Sequence, residues 1–202
     1  MPSITLQRVF WGSVTSAQPL LTVDDLQFYC AIVGTAGGPA GTFNPSSLDS
    51  TGQPCNLWIG FDIHTIPATA TIQTATLRMQ TFYANPNLGV YDGIDVNIQC
   101  LNDDNSYMQT DLLQYNNEPS AYLNAHTTTY NLDTVSAYVI DMNADVKTDL
   151  ITRRTFNYVN PNIYFRLVSN NTSEGVNFDS LNIYLDVTYT MPASGALFFG
   201  SD

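Results

Sequence analysis

The sequence predicts an all-β protein, an antiparallel sandwich or barrel carrying one short helix. Apolar residues alternate with polar ones in run after run, which is the period of a half-buried strand. Charged residues make up only 12% of the chain, about half the usual ~25% share. The surface is left to Asn, Thr, Ser, Gln and Tyr, which suit sheet faces better than exposed helices. One segment alone carries helical spacing.

Taken in chain order, "TLQRVFWGSV" and "QFYCAIVG" are the first β-rich runs. Gly34 to Asn56 is dense in Gly, Pro and Ser and reads as a surface excursion. Trp58 to Met79 reads as a strand, a tight connection and a second, paired strand. In the first, Ile59, Phe61 and Ile63 point one way and Trp58, Gly60 and Asp62 the other. In the second, Ala75, Leu77 and Met79 share one face, and Thr74, Thr76, Arg78 and Gln80 share its opposite. Pro67 falls in the connection, where its missing N–H harms no ladder.

The alternation returns at Val96, Ile98 and Cys100, and again at Ile163, Phe165 and Leu167. It is cleanest at Ile183, Leu185, Val187 and Tyr189, all expected to face inward. With "SAYVIDM" this makes about eight or nine strands. Residues 101–133, rich in Asn, Asp, Tyr and Thr, read as a long excursion. "DMNADVKTDLITRR" sets Met142, Val146, Leu150 and Arg154 at spacing four. Asp141 or Asn143 suits its cap, and Arg153 and Arg154 complement its C-terminal dipole. A short helix at the sandwich edge is expected there.

The composition excludes some partners. Net charge is −12, from 18 acidic and 6 basic residues. Phosphate neutralisation needs a basic surface, so nucleic acid is not an expected partner. An anionic membrane would repel the chain, and no apolar run approaches the ~20 residues of a span. The N-terminal stretch lacks a basic start followed by an apolar run. The expectation is a complete chain made in a cytoplasm. Cys30, Cys55 and Cys100 form no CxxC and read as small buried hydrophobes, a disulfide being the alternative.

The search for chemistry returns little. His64 and His126 have no partner at metal-ligand spacing, and His64 reads as a turn residue. There is no nucleophile-elbow motif and no phosphate-binding glycine loop. Glycoside hydrolysis needs two facing carboxylates, and the two glutamates, Glu118 and Glu174, fall in loops. No catalytic residue, metal or cofactor is assigned. Asp103 and Asp104 are the first candidates for calcium, although Asp in a loop is ordinarily turn chemistry.

Two features suit binding. Trp58 and the excursion tyrosines Tyr107, Tyr115, Tyr122 and Tyr130 offer aromatic faces for a glycan or protein contact. The competing reading buries Trp58 between its strand and the excursion. Beyond the last strand, Leu197, Phe198 and Phe199 form an apolar triplet on a terminal segment. Such a triplet docks somewhere: on its own domain, on a second subunit or on another protein.

"GFDIHTIPATATIQTATLRM" resembles the signature strand pair of DNRLRE-type jelly-roll modules. These are similar to a family of carbohydrate-binding modules. "YVIDMNADVKTDLI" and "VNFDSLNIYLDVTYT" resemble the family's strand-to-helix and closing segments. The matches run in order from about Asn56 to Thr190. The family's middle tryptophan segment is replaced here by the Tyr/Asn excursion. The resemblance implies one antiparallel jelly-roll β-sandwich, expected over residues 1–190, and the apolar triplet beyond it makes 191–202 the expected docking tail. The lack of chemistry-bearing motifs makes a non-enzymatic role the expectation. Stand-alone jelly rolls without an export signal resemble the decoration (cement) proteins of tailed phages. The expectation is therefore a virion protein on the capsid surface, made in the host cytoplasm. It would be a homotrimer bound to the major capsid protein. A carbohydrate-binding module, or a fibre or neck component that binds host glycans, is the alternative.

Overall fold

Alternating runs become strands here because each has one apolar face to bury, and the faces meet in one core. The computed structural model describes residues 1–15, 30–36, 53–83, 94–101, 122–124, 130–132, 136–155, 161–168 and 175–192. Among them are ten strands and one helix. The strands are β1 (Ser3–Thr15), β2 (Cys30–Ala36), β3 (Gln53–Asp62), β4 (Thr71–Tyr83) and β5 (Ile94–Leu101). They continue as β6 (Tyr122–Asn124), β7 (Tyr130–Leu132), β8 (Ala137–Asp141), β9 (Asn162–Val168) and β10 (Gly175–Thr190). The helix α1 spans Ala144–Thr155.

Every described pair is antiparallel, and one hydrogen-bonded path runs β6-β5-β9-β3-β1-β10-β4-β8. β7 joins β5, and β2 pairs with β10 and β3. The all-β antiparallel class and the short helix over Ala144–Thr155 are as expected. The described strands join in one curled ten-stranded sheet. The long strand β10 meets β1 along Tyr184–Thr188 and β2 along Gly175–Asp179.

The strand pair expected over Trp58–Met79 needs correction. β3 and β4 are both strands, but β1 and β10 lie between them. The connection crosses two strands instead of closing a hairpin. Its turns are held by Ile66 N donating to Ile63 O (3.0 Å) and Ala70 N to Pro67 O (3.0 Å). Ile63, Ile66 and Ala70 are buried in that crossing, so it covers an end of the core.

The predicted inward faces are the core. Ile59, Phe61, Ala75, Leu77, Val96, Ile98, Cys100, Ile163, Phe165, Leu167, Leu185 and Val187 all lie in one buried cluster. Each large side chain there gains about 1.5–3 kcal/mol from leaving water. Tyr189 departs from the prediction. A register shift between Thr188 and Tyr189 interrupts the alternation, and Tyr189 stays half-buried.

α1 packs on this core and bridges the two edges of the sheet path. It touches β4 near one end of the sheet path and β6 and β9 near the other. One helix reaches both only if the sheet is curled, so α1 covers the open side. Asn143 is the cap: its Oδ1 accepts from Asp145 N and Val146 N, both at 3.1 Å. Asp141, the other expected cap, accepts from Thr76 Oγ1 instead (2.9 Å). The buried face is Val146, Leu150 and Arg153, not the Arg154 that strict four-residue spacing selects. At 3.6 residues per turn the stripe advances by four and then three. Asn143→Ala should cost about 1 kcal/mol of stability, read as a lower urea midpoint at unchanged slope.

Candidate functional site

Among the described residues two places stand out for their polar side chains. The first is the outer face of β1, β10, β4 and β8. Cross-strand register lines up Gln7, Tyr184, Arg78 and Val139 in one row and Thr5, Asp186, Thr76 and Asp141 in the next. Strand alternation put Arg78, Thr76 and Thr74 on this face, and they are there. Asp186 accepts from Arg78 through both carboxylate oxygens, and from Thr5 Oγ1 at 2.6 Å. The Arg78 guanidinium lies 5.0 Å from the Tyr184 ring centre. The bond to Asp186 is the main cause that raises the Arg78 pKa above its ordinary value. Thr74 and Thr188 hydroxyls bond at 2.7 Å one row on. These ties knit a polar surface with its central charges matched. Because Arg78 and Asp186 are partly exposed, solvent screens the pair and holds its worth below ~1 kcal/mol.

The second place is buried under α1. Arg153 is 2% exposed and donates from Nε to Asp149 Oδ2 at 2.6 Å. Its Nη2 donates to Leu101 O, and its Nη1 to Asn162 O at 3.3 Å. One guanidinium therefore joins α1 to the end of β5 and the start of β9. The Cys100 thiol lies 3.8 Å from Asp149 Oδ2. Burial, and then the nearby Asp149 charge, push its pKa far above the ordinary thiol range. The thiol stays protonated and is not a nucleophile. A raised folded-state pKa gives stability that is full below the unfolded value and lost as pH rises. Between the unfolded value near ~8.5 and the folded one, the thiol contributes a slope of about −1.4 kcal/mol per pH unit. Cys100→Ala should flatten that part of the profile in denaturant melts from pH 7.5 to 10.

The expected site residues fare differently. Trp58 is fully buried on the second face of β3, with the Arg166 guanidinium 5.8 Å from its ring centre. Arg166 is held in turn by Gln99 Oε1, at 3.1 Å from Nε and 2.7 Å from Nη2. Trp58 therefore offers no free stacking face, which corrects its place among the exposed aromatics. Tyr122 and Tyr130 fall on β6 and β7, at register positions opposite Leu101 and Val96 of β5. Tyr107, Tyr115, Asp103, Asp104, Leu197, Phe198 and Phe199 lie outside the described residues. His64 is an exposed turn residue: its N–H donates to Asp62 Oδ1 (2.9 Å) and its Nδ1 lies 2.7 Å from Oδ2.

Cys100 is a free thiol, fully buried as expected. β2 meets β3 with Gly34 opposite Cys55, so Cys30 lies four residues further along β2. That is about 13 Å along a strand, well beyond the ~7 Å Cα limit of a disulfide. Among the described residues no cluster of His, Cys, Asp and Glu is able to hold a metal. No described helix is long and apolar enough to cross a membrane.

No protein-family model and no curated protein sequence matches the chain. Fold class alone assigns no function, so the site chemistry has to carry the reading. Sequence reasoning missed Asp186, Tyr184 and Asp149. The first two join Arg78 through strand register. Asp149 was visible as the residue four before Arg153, the ordinary spacing of a helical ion pair.

Proposed function

We propose that this chain is a non-enzymatic structural protein of a tailed-phage virion, a decoration (cement) protein on the capsid surface. In this reading it is made in the host cytoplasm, forms a homotrimer and binds the major capsid protein. The resemblance to DNRLRE-type jelly-roll modules suits a stand-alone binding scaffold of this kind. The observation that supports it best is where the cations go. Arg78, Lys147, Arg153, Arg154 and Arg166 each bond to groups within the fold. Side chains that serve catalysis or phosphate binding elsewhere serve here to tie strands and helix together. What remains is an acidic, polar exterior on a rigid sheet, suited to a protein partner and not to nucleic acid. The apolar tail residues Leu197, Phe198 and Phe199 would supply the docking contact. Sedimentation with purified shells tests this: the protein should pellet with capsids and resist washing, and a protein that stays in the supernatant contradicts the reading.

A second reading, a carbohydrate-binding module, is favoured by the outer face where Tyr184 sits among Thr, Asp and Arg groups. Glycan recognition by the tyrosines would then weaken in alanine variants at Tyr107, Tyr115 and Tyr122. A glycan array that is blank for the wild-type chain, or unchanged in those variants, removes this reading.

A further inference from the structure

α1 is bound to the molecule differently from every strand. A strand leaves the sheet only by breaking ladder hydrogen bonds on its flanks. The polar ties of α1 run from side chain to backbone: Lys147 Nζ to Gln73 O (3.2 Å), Arg154 Nε to Ile66 O (2.6 Å), and Arg153 to Leu101 O and Asn162 O. The backbone tie at its entrance, Met142 N to Ala75 O (2.8 Å), precedes the helix. Losing α1 thus breaks no ladder.

Its outer stripe, Thr148, Thr152 and Thr155, is exposed. Each of these hydroxyls donates back to a carbonyl of the preceding turn, at 3.0, 3.0 and 2.8 Å. Such threonines, with Val146 and Ile151, are weak helix formers. A helix of 12 residues is marginal without tertiary packing. The element that closes the curled sheet therefore depends on its packing to stay helical.

We propose that α1 is a releasable strap: it opens as a unit from the open side of the sheet, with Arg153 as its clasp, while the strand ladders stay paired. The opening admits solvent to the interior, and Cys100 reports it because its thiol sits 3.8 Å from Asp149 of the strap. Elements of this kind open well below the free energy of global unfolding.

The test is iodoacetamide labelling of the full chain in low denaturant, read at Cys100 by peptide mass. Amide exchange of α1 and of β10 is followed in the same samples. Cys100 should label at least tenfold faster than global unfolding permits, with little dependence on denaturant. The α1 amides should exchange alongside it while β10 stays protected. Arg153→Gln should raise the labelling rate a further tenfold or more. Labelling with the full denaturant dependence of global unfolding overturns the strap. So does labelling of Cys100 while α1 stays as protected as β10, and an unchanged rate in a folded Arg153→Gln variant removes the clasp. Where that variant does not fold, the wild-type comparison alone decides.

Discussion

Replacing Arg153 with alanine is expected to destabilise the fold by about 3–5 kcal/mol. The loss comes from what stays behind more than from what leaves. Asp149 keeps a negative charge at 12% side-chain exposure with no cation beside it. The Leu101 and Asn162 carbonyls lose the donors that Arg153 gave them. A double replacement, Arg153→Met with Asp149→Leu, should recover the share of the loss that comes from the uncompensated charge, while the two carbonyls stay without their donors. Chemical denaturation of the two single variants and the double variant checks this. If both singles and the double lose the same amount, packing and not uncompensated charge carries the effect.

Phe61→Ala is expected to cost a similar 3–5 kcal/mol. Phe61 is fully buried in β3 and meets Phe165 of β9 edge to face, with ring centres 6.0 Å apart at 69°. The two residues are not directly opposite: Phe61 pairs with Ile163, and Phe165 with Ile59. Their contact is diagonal across the ladder, within reach of aromatic side chains. A double-mutant cycle with Phe165→Ala should return a coupling of about 0.5–1.5 kcal/mol beyond area burial. A coupling near zero would make the pair two independent core residues.

What the sequence made legible follows from the range of each interaction. The inward faces of β4, β5 and β9 depend on neighbours two residues apart, so Leu77, Ile98 and Phe165 could be placed from alternation alone. The α1 cap was equally local, and the structure selected Asn143 from two near neighbours. The order of strands was not legible. Asp186 reaches Arg78 across 108 residues, and nothing near either residue announces the other. The same holds for the path that separates β3 from β4. Trp58 shows the limit of alternation, which gives the face but not what covers it. Arg153 was placed at the helix end for its charge, although burial was written in its spacing from Val146 and Leu150.

In the proposed reading this acidic β-scaffold is an assembly component and not a catalyst. Its subunit number is the most direct test. Light scattering at micromolar concentration should give three times the chain mass of 22.3 kDa. A chain ending at Pro192 should fall to monomer, because Leu197, Phe198 and Phe199 are gone. A full-length chain that scatters as a 22.3 kDa monomer would contradict the claim and turn the inquiry to glycans.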